Sequence, residues 1–487
     1  MDKLVGEIYS RTTLKGKHLT IVRNPDGFLS RPDVQQRVLN ESNLLLLPIK
    51  TSLELRVRFE LYDKDSCSNV CYIVSNTFEM LPDLYQYIYS LPAFSLSDLL
   101  PSYDEVEIRQ SDISFEAASY AYNRQYKYNL SAHETRSVLR DARAFTGEDM
   151  YKYGSKLSGT SLNWDNVETI TSISELLVEI IKRNGYESVE SIITNINESF
   201  QEYLDIKYFA LLTSSFIYKP KTVNRILPHL SFNHSRFEKV ALIVIDGMSY
   251  WQYMVLHKEL ISKGITPKCD FTLSWLPSIT KLSRQAIFKG DVPAADYVQN
   301  PSNESALWKK FWTELGNPEK RFNEFDVEYI YGSLRANDTM KLRQAFVDVE
   351  LDHKMHSSSS NKDLYDLTSN WARKAAEDIA VLHNQGFVIY ITTDHGNIHA
   401  HKWRALTSHE KVFLYQNESR GSRHLTYQDH NALTSFLDSN MDIRAEQMVH
   451  DNWTIWRTSK CFKNQDEITH GGSHFLEVVI PFIKIEK

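Results

Sequence analysis

From about residue 236 onward the chain alternates short, almost wholly apolar runs with longer stretches in which apolar residues return every three or four positions. The runs KVALIVID, EYIYGSL, AFVDVELD, FVIYITTD and EVVIPFIKI predict buried strands, and the stretches between them predict amphipathic helices. That alternation is the pattern of an α/β fold with a mostly parallel sheet flanked by helices. Three of the five runs end in an aspartate, at Asp246, Asp352 and Asp394. One acidic strand end reads as a cap for the following helix. Three are expected to converge on one edge, because sites in open α/β sheets collect outside the carboxyl ends of the strands.

Before residue 236 the texture changes. Residues 1–100 predict a small α/β domain, with HLTIVRNPDG and NVCYIVSN as short buried strands. Asp26, in the turn after the first of them, reads as turn chemistry rather than as a site residue. Residues 101–235 predict a helical, aromatic-rich connector, and residues 236–487 a larger α/β domain. The string Tyr120, Tyr122, Tyr126 and Tyr128 can stack on bases, but packing between helices is the better reading.

Composition narrows the classes. At 487 residues, 42% hydrophobic and 24% charged, the chain supports two or three ordinary cores. A net charge of -7 removes the global basic field that drives non-specific nucleic-acid binding. Cys67, Cys71, Cys269 and Cys461 form no CxxC pair and no disulfide framework, so they read as reduced thiols. Asp2 and Glu7 interrupt any signal-like apolar start, and the run NLLLLPIK is too short for a bilayer span of ~20 residues. The expectation is a soluble, cytoplasmic protein without a membrane partner.

The polar residues at the predicted strand ends carry the candidate chemistry. FVIYITTDHGN sets Asp394 and His395 side by side, and VELDHKMH sets Asp352 and His356 four residues apart with His353 between them. On a helical turn, residues 352 and 356 share a face. ITHGGSHF places His470 before two glycines, which let the backbone approach a ligand closely. Together these supply three aspartates and three histidines, enough for two oxygen/nitrogen metal sites. A nucleophile is offered by LPSITKLSRQAIFKG, where Thr280 stands at the start of a predicted helix, whose dipole suits a phosphate. Thr280 also reads as a simple N-cap, and Ser278 and Ser283 are rival hydroxyls. Arg284 reads equally as a phosphate contact or as a solvated helix residue, and His399 and His401 as loop residues or as support for the ligands.

In this order, VIDGM, LPSIT…SRQAIFKG, LDHKMH, TTDHG and THGGSHFLEVVIPFI resemble the PglZ domain, a branch of the alkaline phosphatase superfamily. Its relatives include nucleotide pyrophosphatase/phosphodiesterases and cofactor-independent phosphoglycerate mutases. The resemblance covers about residues 236–487, and the spacing from Thr280 to Gly290 also resembles that of the family. The opening TIVRNPDGFL is similar to the region preceding this domain in full-length relatives. What the resemblance implies is one metal on Asp246, Thr280, Asp394 and His395, and a second on Asp352, His356 and His470. It implies two divalent ions, zinc or else manganese or magnesium, with Thr280 as a nucleophile that becomes phosphorylated and is then freed by water. It further implies a phosphodiesterase acting on nucleic acid or nucleotide, within a BREX-type phage-defence system with other defence proteins as partners. LDHKMH lacks the glycine often found between its two ligands, which leaves His353 and His356 as alternatives. Two rival readings are a scaffold subunit with incidental turnover and a phosphomutase. The latter lacks a large inserted domain between Gly290 and Asp352.

Overall fold

The computed structural model of the chain describes residues 2–13, 19–64, 69–88, 91–146, 148–294, 296–315, 317–332, 334–335, 340–404, 422–427 and 430–487. They form two compact units, Met1–Lys152 and Tyr153–Lys487.

The first unit is built on a parallel three-stranded sheet of β1 (Ile21–Arg23), β2 (Leu45–Pro48) and β3 (Val70–Val74), in the order β1-β3-β2. β3 is central and apolar on both faces. Cys71 and Ile73 join one core with Val34, Val38, Phe115 and Ala118, while Tyr72 and Val74 join another with Leu55, Phe59 and Leu84. Strand alternation alone splits one run into two cores. Asp26 is turn chemistry, as expected: one oxygen accepts from Asn24 Nδ2 and the Phe28 amide, the other from the Leu96 amide at 2.6 Å. The tyrosine string divides, with Tyr120 and Tyr122 packed against the core and Tyr126 and Tyr128 exposed.

The second unit centres on a six-stranded sheet. Its strands are β4 (Val240–Ile245), β5 (Lys268–Leu273), β6 (Val327–Tyr331), β7 (Arg343–Asp348), β8 (Val388–Thr392) and, last in the chain, β15 (Val479–Ile485), in the order β5-β15-β8-β4-β7-β6. β4 pairs in parallel with β7 and β8, and β6 with β7. β15 runs antiparallel to both neighbours. The expected α/β architecture is present, with one reversed strand. Val240, Leu242 and Val244 on one face of β4 pack with Ala286, Ile287 and Phe288 of the helix Thr280–Lys289 and with Trp308 and Trp312 of the helix Pro301–Thr313. Burying each tryptophan contributes on the order of 2–3 kcal/mol. Elsewhere in this unit, the helix Tyr250–Ser262 packs against Asn361–Asn384 and Val167–Lys182. Two small sheets lie beyond: β9 (Ile398–Lys402) between β13 (Lys460–Cys461) and β14 (Glu467–Thr469), and β12 (Trp453–Trp456) between β10 (His424–Thr426) and β11 (Gln447–His450). Among the described residues no helix is long and apolar enough to cross a membrane.

Two placements correct the sequence reading. The apolar run AFVDVELD does not continue to Asp352: β7 stops at Asp348, and Asp352 lies in the first turn of the helix Glu350–Ser357. Asp348 caps the break by accepting from the Glu350 amide at 2.8 Å and from Trp371 Nε1 at 2.9 Å. Likewise His399 and His401 lie on β9 rather than in a loop.

Candidate functional site

Asp246 follows the last residue of β4, and Asp394 follows β8 by two residues, so adjacent parallel strands deliver both carboxylates to one edge of the sheet. The backbone then fixes which oxygen each can offer. Asp394 Oδ1 accepts from the Gly247 amide at 3.2 Å, the His395 amide at 3.1 Å and Thr393 Oγ1 at 3.2 Å. Asp246 Oδ2 accepts from Arg284 Nη1 at 3.1 Å. The remaining oxygens, Asp246 Oδ1 and Asp394 Oδ2, are buried without a hydrogen-bond partner and lie 3.6 and 3.7 Å from His395 Nε2. Below them a connected polar network holds the turn after β4: Asn397 Nδ2 donates to Gly247 O at 2.7 Å and to Gln252 Oε1 at 2.6 Å, and Ser249 Oγ to Leu476 O at 3.1 Å. Gly396 is required there, because a Cβ would overlap the Leu476 carbonyl.

His395 has its tautomer set by geometry. Nδ1 lies 3.0 Å from Gly396 O, and a carbonyl only accepts, so Nδ1 carries a proton and, when the ring is neutral, the Nε2 lone pair faces the carboxylates. Thr280 Oγ1 stands 3.0 Å from that Nε2. Thr280 is the first residue of its helix and Ile279 occupies the cap position, so the N-cap reading of Thr280 does not hold. The rival hydroxyls are placed otherwise. Ser278 Oγ bonds Gly472 O at 2.8 Å and the Gly471 amide at 3.1 Å, and Ser283 is fully buried.

A second group adjoins the first. Asp352 and His356 share a face of their short helix, with Oδ1 3.6 Å from Nε2, and His470 completes a set whose ligand atoms lie within 4.8 Å of one another. Asp246, Asp394 and His395 form an equivalent set. His353 is exposed and in neither set, which decides between the two histidines of LDHKMH as a matter of placement. His470 Nδ1 meets Ser278 O at 3.0 Å, so its Nε2 is likewise unprotonated when the ring is neutral. The His395 and His470 rings stack at 3.7 Å with 11° between planes. All seven residues that the resemblance assigns to the two metals therefore lie in or beside two adjoining groups.

The electrostatics of the two groups suit cations. Burial, followed by the neighbouring Asp394 carboxylate, raises Asp246, and burial raises Asp394. Burial also lowers His356 and His470, favouring neutral imidazoles with free lone pairs. Asp352 Oδ1 is a third buried carboxylate oxygen without a partner. An orphaned buried acceptor costs about 1–3 kcal/mol, more when charged. Three of them, two beside His395 Nε2 and one beside His356 Nε2, are oxygens that divalent cations would satisfy.

Several supporting residues escaped the sequence reading. Arg284 is neither solvated nor free for phosphate: it is buried between Asp246 and Glu304, whose carboxylate accepts from Tyr329 Oη at 2.5 Å. Gly472 yields space to a protein group rather than to a ligand, since a Cβ would strike the Arg423 guanidinium. That guanidinium pairs with Glu477 through two hydrogen bonds of 2.9 and 2.8 Å, both side chains fully buried. The helix Glu190–Leu211 braces the same loop through Gln201 to Ser473 and Asn197 to the Phe475 amide. Glu304 was legible in one respect: it stands four residues before Trp308 and eight before Trp312, on the stripe that faces the core.

Comparison with known proteins follows the same half of the chain. The family model described as the BREX system PglZ alkaline phosphatase-like domain matches residues 224–485, more than half of the chain. No curated protein sequence gives a significant match. Among solved structures, phosphonoacetate hydrolase from Sinorhizobium meliloti 1021 is 11% identical with a TM-score of 0.32, over 51% of this chain and 89% of that one. Murine ectonucleotide pyrophosphatase/phosphodiesterase 5 is 10% identical with a TM-score of 0.35, over 51% of this chain and 88% of that one.

Proposed function

The chain belongs to the PglZ family of alkaline phosphatase-like domains, and from that premise we propose that it is a metal-dependent phosphohydrolase with Thr280 as nucleophile. The reading is supported above all by three buried, unpartnered carboxylate oxygens, on Asp246, Asp394 and Asp352, gathered beside imidazole nitrogens. Asp246, Asp394 and His395, with Thr280 Oγ1, would hold one divalent ion, and Asp352, His356 and His470 the other. When bound, such ions supply Lewis-acid polarisation of phosphoryl oxygen and lower the pKa of a coordinated hydroxyl or water.

The chain's own residues do the rest. The helix Thr280–Lys289 sets its N-terminus, and so its positive dipole end, at the hydroxyl where a phosphoryl group would dock. Thr280 Oγ1 attacks phosphorus, losing its proton as the ester oxygen departs, and water then cleaves the Thr280 Oγ–P bond and restores the hydroxyl. His395 is aimed by its Nδ1–H bond to Gly396 O, and His470 by its bond to Ser278 O, so neither ring needs to reorient during turnover. The substrate is a phosphodiester in nucleic acid or a nucleotide, and the setting is a BREX-type defence system with other defence proteins as partners. With a net charge of -7, those partners supply the contact to nucleic acid. Purified protein should bind divalent metal and hydrolyse a generic diester such as bis(p-nitrophenyl) phosphate. Wild type that binds no metal and cleaves neither mono- nor diesters would hand the case to the scaffold reading.

A further inference from the structure

Arg284 stands one helical turn behind Thr280 and is 5% exposed, with two carboxylates from different elements on its guanidinium. Nη1 donates to Asp246 Oδ2 at 3.1 Å. Nε lies 3.0 Å from Glu304 Oε1, an ion pair without hydrogen-bond alignment, and 3.9 Å from Asp394 Oδ2. Glu304 has no exposed surface, and its other oxygen takes the Tyr329 hydroxyl. Nothing in the chemistry of Thr280, Asp246 or Asp394 calls for a fourth charged group here, and burying one is expensive unless its charge is used.

We propose that Glu304 is a positioning residue that sets the charge of the buried group, so that Asp246, Asp394 and Glu304 together balance Arg284 plus one divalent cation. The inference rests on the metal-dependent reading above. With all three ionised, as a bound cation would require, three carboxylates against one guanidinium leave a deficit of two positive charges in a region closed to solvent. Glu304 also restrains the guanidinium. Held on its Nε side, Arg284 anchors one oxygen of Asp246 and is kept 3.9 Å from Asp394 Oδ2, which stays open. Without Glu304 the guanidinium would be drawn onto both aspartates, competing with the cation for the oxygens that remain unpartnered.

The test is isothermal titration of Mn2+ alone into metal-free full-length protein, with folding checked by thermal melting. Glu304→Gln keeps the shape and removes the charge, and the Kd of the tighter site is expected to rise about tenfold or more. The double variant Arg284→Met/Glu304→Gln restores the original charge balance and is expected to bind Mn2+ more tightly than Glu304→Gln alone. A purely structural role for the pair predicts the opposite order, since the double variant loses more packing. Should Glu304→Gln not fold, Tyr329→Phe leaves every charge in place and removes the hydroxyl that favours an ionised Glu304, with a rise of about two- to threefold expected. Unchanged affinity in the variants, or a double variant weaker than the single, overturns the inference. A wild-type chain that takes up no Mn2+ refutes instead the reading on which it rests.

Discussion

The two ligand groups adjoin through one pair of stacked rings, yet they are built differently. Asp246, Asp394 and His395 are buried, delivered by adjacent parallel strands, and locked by backbone amides, Arg284 and a connected amide network. Asp352 and His356 ride on an eight-residue helix, and the His356 side chain is half exposed. The first group is thus held in place by its surroundings, and its unsatisfied charge is costly without a compensating cation. The second is reached from solvent and can gain or lose a ligand with little effect on the core. If the chain uses two ions, one is expected to be structural in permanence and the other exchangeable.

That contrast can be broken in several ways. The largest effect is expected at the buried group: Thr280→Ala should lower turnover by at least about a thousandfold while retaining metal better than Asp246→Ala, which should lose turnover and an ion together. Metal analysis beside diester assays separates the two, and wild-type turnover in Thr280→Ala would sink the covalent route. At the open group, His356→Ala should cost on the order of a hundredfold at limiting metal, and excess metal should restore most of it by mass action. A chelator should accordingly remove the ions in two phases, and a single phase would show that the groups are equally accessible. For stability, Arg423→Met should cost about 3–5 kcal/mol in chemical denaturation by stranding Glu477, and the added change Glu477→Leu should recover most of it. The smallest effect is expected at His401, whose ring nitrogens lie 2.6 Å from Glu190 and 2.9 Å from Asp466. Burial pulls this imidazole down, but the hydrogen bonds to Asp466 and Glu190 outweigh it and the net shift is upward. A raised folded value stabilises fully below the ordinary histidine range and fades as pH rises through the folded value. His401→Gln should therefore lower the unfolding free energy, read by chemical denaturation, at a pH of about 5.5 and hardly at all at about 8.5, by about a few tenths of a kcal/mol for so exposed a pair.

How much of this was legible follows from how each residue is held. Asp246 and Asp394 could be read directly, because each closes a short run dominated by β-branched and other apolar residues, the texture of a strand buried on both faces. Asp352 could be read as a residue but not as a place: Val349 and Leu351 carry the apolar texture past Asp348, and periodicity over eight residues does not separate a strand from a strand followed by a helical turn. β2, inside NLLLLPIK, was missed because a leucine run shows no alternation, and β5 because KCDFTL mixes charge with apolar residues on a strand only half covered. The reversal of β15 escapes local pattern altogether. It arises because the segment carrying His470 already lies at the ligand edge, so the chain can only run back from there. The partners of Glu304 and Arg423 and the brace from the helix Glu190–Leu211 were invisible for a related reason. These contacts join positions far apart along the chain, 54 residues for Arg423 and Glu477, and no spacing rule reaches that distance.

The stacked imidazoles carry a last consequence. Rings 3.7 Å apart leave no gap between their faces, so neither His395 nor His470 can tilt without displacing the other. An occupant that fixes one ring fixes its neighbour, which makes the groups thermodynamically linked. Linkage is reciprocal: whatever factor one occupant adds to the affinity of the second, the second returns to the first.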